Sequence, residues 1–214
     1  AVAYPGLDVK VVGSHGGISA GEDGASQMAI EDVALACSLP GFAVLVPCDA
    51  ASTEVLTRAL ARRRGPAYLR TCRPKAPVVY RQAPSLEIGR GEVLREGGDV
   101  AILANGLLVW EALAAAETLA AEGIRAAVAD FHTVKPLDAA LVADLARRCG
   151  AIVTAEEHQV WGGLGSAVAQ AVCATVPVPV SSVAIADTYA ESGESDALLA
   201  RDGLTAERIV EAAR

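Results

Sequence analysis

No stretch of this chain approaches the ~20 consecutive apolar residues that span a bilayer, although 52% of its 214 residues are hydrophobic. No basic start leads into an apolar core either, so neither a membrane span nor a signal peptide is expected. Basic clusters are scarce. Beyond Arg62, Arg63 and Arg64 there is no cluster of three or more Lys or Arg, and the formal net charge is −8. That balance disfavours nucleic acid and anionic membranes as partners. The five cysteines (Cys37, Cys48, Cys72, Cys149, Cys173) are odd in number and never form a C-x-x-C pair. A disulfide framework or zinc site is therefore not expected; buried, inert thiols in a reducing cytoplasm are. Only His15, His132 and His158 supply imidazole, and none stands at metal-ligand spacing from another. Nor is a staple needed, because a chain of this size can bury roughly 70% of its unfolded surface.

What is present is alternation. Short apolar runs read as strands at 9–13, 42–47, 66–70, 100–104, 126–130, 151–155 and 180–186, bounded by Gly, Pro or charge. Amphipathic segments lie between them. Asp49 precedes a helix ended by Gly65, the segment from Leu108 to Gly123 carries one apolar stripe, and Asp138 caps a helix that stops at Gly150. The expected fold is α/β: two domains with mostly parallel sheets covered by helices. The stretch CRPKAPVVYRQAP, Cys72–Pro84, has three prolines and no periodicity. The expected division is residues 1–75, a linker at 76–87, and a domain at 88–214. The first piece, with three strands and two helices, looks thin for a sheet covered on both faces.

Chemistry concentrates in SHGGISAGEDGASQMAIED, Ser14–Asp32, where four glycines surround one His and the acidic pair Glu22–Asp23. A helix is expected from about Ser26. A glycine-rich loop between strand and helix can present backbone N–H groups to an anion. Glu22 and Asp23 would repel a bare phosphate, so a hydroxyl-rich ligand suits the loop better, with His15 donating to an anionic group. A surface loop that merely caps a helix explains the same spacing.

The loop, followed by VLVPCDA and PAYLRTCRP, resembles the pyrimidine-binding domain of transketolases, which read S-H-x-G-I/L-x-V-G-E-D-G-x-x-H-Q there. The runs AILANG, EALAAAETLAAEGI, FHTVKPLD, IVTAEEHQVWGGLGSAV and DTYAESG are similar to that family's C-terminal domain. Together they cover essentially the whole chain and look most like the C-terminal subunit of split-gene transketolases. The resemblance implies transfer of a two-carbon ketol unit between sugar phosphates with thiamine diphosphate and magnesium, at sites lying between two polypeptides. It implies His15 and Arg73 on the substrate phosphate, with Arg70 the near alternative, and Asp23 on a substrate hydroxyl. On that basis the glycines let a funnel wall approach a small polar sugar. The implied partners are an N-terminal subunit carrying the diphosphate-binding domain and a second copy of the chain.

Two departures matter. The family's second loop histidine is Gln27 here, which donates a hydrogen bond but shuttles no proton. Its loss would cost roughly 10²–10⁴ in rate if that histidine were an acid/base, and little if it only stabilised an oxyanion. The family's cofactor-protonating glutamate and its diphosphate and metal site lie upstream of AVAYPG, so the isolated chain is expected not to turn over. The missing residues would belong to the same natural protein or to a partner chain, or this would be a non-catalytic remnant.

Other residues read structurally. GGLGSAV, 162–168, fails the dinucleotide spacing, because the position of the third glycine is Val168. Glu156, Glu157 and His158 read as a hydrogen-bonded turn rather than a shared site. His132 reads as a satisfied interior or interface histidine, and Trp110 and Trp161 as core or interface anchors. The functional alternatives are a biosynthetic two-carbon transferase, a 2-oxoacid dehydrogenase β-like subunit, and an assembly or dimerisation module.

Overall fold

The computed structural model describes all residues, 1–214. The first sheet is built from β1 (Lys10–Gly13), β2 (Ala43–Leu45) and β3 (Ala67–Arg70), with α1 (Asp32–Ser38) and α2 (Ala50–Arg62) in the crossovers. The second contains β4 (Glu92–Arg95), β5 (Val100–Ala104), β6 (Ala126–Asp130), β8 (Ile152–Gln159) and β9 (Val180–Ile185) in the order β4-β6-β5-β8-β9. It is parallel except for β4, which runs antiparallel to β6. Helices α3 (Leu108–Ala121), α4 (Ala139–Cys149) and α5 (Leu164–Ala174) connect its strands. Two more, α6 (Ser195–Arg201) and α7 (Ala206–Ala213), follow β9.

Local chemistry fixes these elements. VAILA and AAVAD are buried along their whole length, as central parallel strands covered on both faces must be. Asp49 starts α2 with a capping box, accepting from the Ser52 N–H at 2.8 Å. Asp138 caps α4 through the Leu141 N–H, and Gly150 ends it in the left-handed region at φ +72°. The first turn of α5 is capped from outside its own sequence: Glu156 on β8 accepts from the Leu164 and Gly165 N–H groups at 2.7 and 2.8 Å.

The first sheet proves wider than its own segment of chain. β7 (Thr133–Lys135) returns from the second unit and pairs antiparallel with β2, giving the order β1-β3-β2-β7. The two halves are thus interleaved. No helix or strand occurs from 71 to 91, yet this stretch is strapped down. The Val79 and Tyr80 N–H groups donate to Asp49, and Leu86 is buried among the residues of the first sheet. One core cluster gathers Ile18, Met28 and Ile30 from the first unit with Ile102, Leu119 and Ile209 from the second, so apolar burial is continuous between them.

Two expectations change and one narrows. Trp110 and Trp161 are 43% and 65% exposed, so of the core and interface readings only the interface one is left. Cys173 is exposed rather than buried. His132 is fully buried with Nδ1 against the Thr133 hydroxyl, but its Nε2 has no partner, so it is interior without being satisfied. Burial lowers its pKa to about 4, which keeps it neutral.

Asp130, at the end of β6, carries a pH-dependent penalty. It is fully buried, takes hydrogen bonds from Tyr80 at 3.0 Å and Cys48 at 3.6 Å, and its second oxygen has no partner. Burial pushes its pKa up to about 7, and Asp49 and Glu92 add to the rise. The folded protein therefore holds this proton more tightly than the unfolded chain. The resulting stabilisation is complete below the unfolded value near 3.8 and is lost as pH rises through about 7. Asp130→Asn keeps the acceptor for Tyr80 and removes the charge. Thermal melts should show the variant gaining roughly 5–10 °C at pH 8, on the order of 2–3 kcal/mol, and less than half of that at pH 5.

Candidate functional site

The glycine loop leaves β1 at Gly13 and does not form the helix expected from Ser26. Residues 18–23 and 25–27 make two short 3-10 turns, and Met28 is extended. The chain then bridges back on itself: the Gly17 N–H donates to the Ala29 carbonyl at 2.6 Å and the Ala29 N–H to the His15 carbonyl at 3.2 Å. The Ile30 carbonyl accepts from the Gln159 N–H at 2.9 Å. With that backbone committed, α1 cannot start before Asp32. Met28 and Ile30 enter the shared core instead.

This path brings three of the expected residues together. Asp23 Oδ2 stands 3.6 Å from His15 Nε2 and 3.5 Å from Arg73 Nε. Arg73 also donates through Nη1 to the Ala20 carbonyl at 2.9 Å. His15 is held in the left-handed region at φ +69°, with Nδ1 at 2.9 Å from the Ser14 hydroxyl. A non-glycine residue there is uncommon and turns the imidazole toward Asp23. All three side chains are half-exposed, so these pairs contribute little to stability and stay available to a ligand. Gln27 lies exposed at the end of the second turn, outside the triad.

Arg70 is not available as the alternative phosphate reader. Its side chain is only 4% exposed, and Nη2 donates to the carbonyls of Ala29 at 2.9 Å and Glu157 at 2.6 Å. Its Nε faces Asp32 at 3.3 Å, leaving no free fork. Three residues along, past the end of β3, Arg73 faces outward instead.

The glycines also prove to serve a different purpose. A Cβ on Gly16 would fall 2.0 Å from Arg70 Nε, and one on Gly17 2.1 Å from Glu157 Cδ. Gly24 is pressed against the Ser192 hydroxyl in the same way, and Gly21 lies against the Gly193 carbonyl. Their small size is used up by contact with the protein rather than by an approaching sugar.

Glu156, Glu157 and His158 lie within β8 rather than in a turn, each with its own work. Glu156 caps α5. Glu157 Oε1 accepts from the Ser19 N–H at 2.6 Å, beneath the loop. His158 Nε2 accepts from the Ala34 N–H at 3.3 Å, with Nδ1 at 2.6 Å from the Gln159 carbonyl, which fixes the tautomer with hydrogen on Nδ1. Burial raises the pKa of both glutamates, opposed for Glu157 by Arg70 and then by the Ser19 backbone; burial lowers that of His158. The roles of Glu156 and Glu157 were missed, though the period of two in a strand sets adjacent carboxylates on opposite faces. No group of three or more His, Cys, Asp or Glu side chains is placed to hold a metal ion, and no helix is long and apolar enough to cross a membrane.

Against this geometry, residues 1–78 match the family model for the transketolase pyrimidine-binding domain, and residues 89–209 that for the transketolase C-terminal domain. The chain belongs to the transketolase family. It is 44% identical to the 6-deoxy-6-sulfo-D-fructose transketolase subunit SqwH of Clostridium sp. (strain MSTE9), over 99% of this chain and 66% of that protein. It is 37% identical to human transketolase, over 97% of this chain and 34% of the human one. Among solved structures it resembles a split-gene transketolase in an inactive β4 tetramer, with TM-score 0.90 and 44% identity over 99% of this chain and 67% of that one. The chain thus spans about two thirds of its split relatives and one third of the human enzyme.

Proposed function

We propose that this chain is one component of a cytoplasmic transketolase that moves a two-carbon ketol unit from a ketose phosphate to an aldose acceptor. The observation that carries it is the half-exposed triad of His15, Asp23 and Arg73, with one carboxylate between an imidazole and a guanidinium. Arg73 would take the phosphate through its planar fork and His15 would donate to the same group. Asp23 would accept from the neighbouring sugar hydroxyl, exchanging its two protein partners for the ligand. Gln27 would donate its amide N–H to the hydroxyl or oxyanion of the two-carbon end without moving a proton. These residues bind and orient; they cleave no bond.

The family uses thiamine diphosphate with a divalent metal, and that cofactor supplies the carbon nucleophile and electron sink for breaking the bond next to the ketose carbonyl. The side chains of these residues do not form a site for the metal; diphosphate and magnesium would be held mainly by another chain or domain, for which an N-terminal subunit is the candidate. The split-gene relatives support that arrangement. Exposed apolar side chains on β1 and α1, Val12 and Leu35, also favour burial in an assembly, as do Trp161 and Tyr189; homodimerisation of this chain is part of the proposal.

The test is transfer by the reconstituted complex from a ketose with and without its phosphate. A preference of roughly 10²-fold or more in kcat/KM for the phosphorylated sugar is expected from two charge-assisted contacts. Equal use of both would remove the proposal. A sulfonated ketose is the second substrate class to assay, because SqwH is named for one and a sulfonate offers Arg73 a similar tetrahedral anion.

A further inference from the structure

The C-terminal unit contributes no residue to the triad, yet it reaches under the loop that bears it. Glu157 on β8 is buried, accepts from the Ser19 N–H at 2.6 Å, and fills the space a side chain on Gly17 would need. One residue on, the Ala20 carbonyl accepts from Arg73. On the other side, Arg70 occupies the space beside Gly16 and ties the Ala29 carbonyl to that of Glu157. α6 packs on the same 3-10 turn from a third direction. The loop therefore has no independent shape: its floor is a carboxylate supplied by the neighbouring unit.

From this we infer that Glu157 is a positioning residue, through which the C-terminal unit sets the distance between Arg73 and the His15–Asp23 pair and so the affinity for the anionic ketose. The inference rests on the sugar-phosphate role proposed above. It gives the C-terminal unit a task in recognition. The carboxylate acts as an acceptor of fixed height: removing it frees the Ser19 N–H, and the Ala20 carbonyl and Arg73 shift with it. A displacement near 1 Å at a binding group can cost on the order of 10²-fold.

The experiment uses the complex with the diphosphate-binding subunit and compares Glu157→Ala, Glu157→Gln and Arg73→Ala. Glu157→Ala should raise KM for a ketose phosphate roughly 10–100-fold with kcat within about threefold. Glu157→Gln, which keeps an oxygen acceptor, should recover most of the loss. Hydrogen exchange, read on the same samples without turnover, should quicken in residues 17–24 for Glu157→Ala and return toward wild type for Glu157→Gln. If Arg73→Ala raises KM while Glu157→Ala changes neither KM nor exchange, the positioning role is overturned and the sugar-phosphate site stands. If neither substitution moves KM, the sugar-phosphate site fails and the positioning role with it. Should Glu157→Ala not fold, Gly17→Ala disturbs the same contact from the loop side; an unchanged KM there also overturns the inference.

Discussion

Replacing Arg73 with alanine should raise KM for a ketose phosphate by roughly 10–150-fold, the equivalent of about 1.5–3 kcal/mol for hydrogen bonds to a charged group. The guanidinium is 42% exposed and its partners are Asp23, at 3.5 Å, and one carbonyl, so it has donors to spare. An arginine gripping a phosphate that takes no part in bond cleavage binds ground and transition states alike, so kcat should stay within about threefold. The same ketose without its phosphate should be used equally by wild type and variant, closing the gap between the two substrates. Stability should barely change, because a half-exposed ion pair contributes only about 0–1 kcal/mol. A variant with unaltered KM would place the phosphate elsewhere.

Arg70→Ala should do the opposite: little can be learned of binding because the fold itself is damaged. The substitution leaves Glu157 and Asp32 without their buried cation and two carbonyls without donors. Losing one partner of a buried, hydrogen-bonded charge pair costs about 3–5 kcal/mol, or roughly 8–15 °C in melting temperature for a protein of this size. Arg70→Lys should recover only part of this, since an ammonium cannot serve both carbonyls and Asp32 with the geometry of a planar fork. A melting temperature within 2 °C of wild type for Arg70→Ala would contradict the structural role. Two arginines three residues apart thus divide into a reader and a brace, and calorimetry with substrate kinetics separates them.

That division marks the limit of what could be read from sequence. Spacing and composition do not distinguish Arg70 from Arg73; what does is the end of β3, which leaves the first facing the interior and lets the second turn out. The strands of the second sheet were legible because VAILA, AAVAD and AIVTA are buried on both faces and read as uninterrupted apolar runs. α2 and α4 were legible because Asp49 and Asp138 cap them locally. β7 was not, since three residues, TVK, become a strand only by pairing with Val44 and Leu45 far away in sequence. β4 was hidden by its charged ends and edge position. The helix expected from Ser26 failed for a tertiary reason too, because Ala29 and Ile30 spend their backbone groups on the loop and on β8. In the site, His15 and Asp23 could be picked out by type. Their glycine neighbours were assigned to the ligand when they answer to Arg70 and Glu157.

Native mass spectrometry of the protein isolated from its source, without added subunits, decides whether this chain works within a cofactor-bearing assembly. The expected result is this chain in an assembly with residues that carry a diphosphate site, with an additional mass matching thiamine diphosphate and a divalent metal. A bare 21.8 kDa species, or its homo-oligomer alone with no cofactor mass, would contradict it.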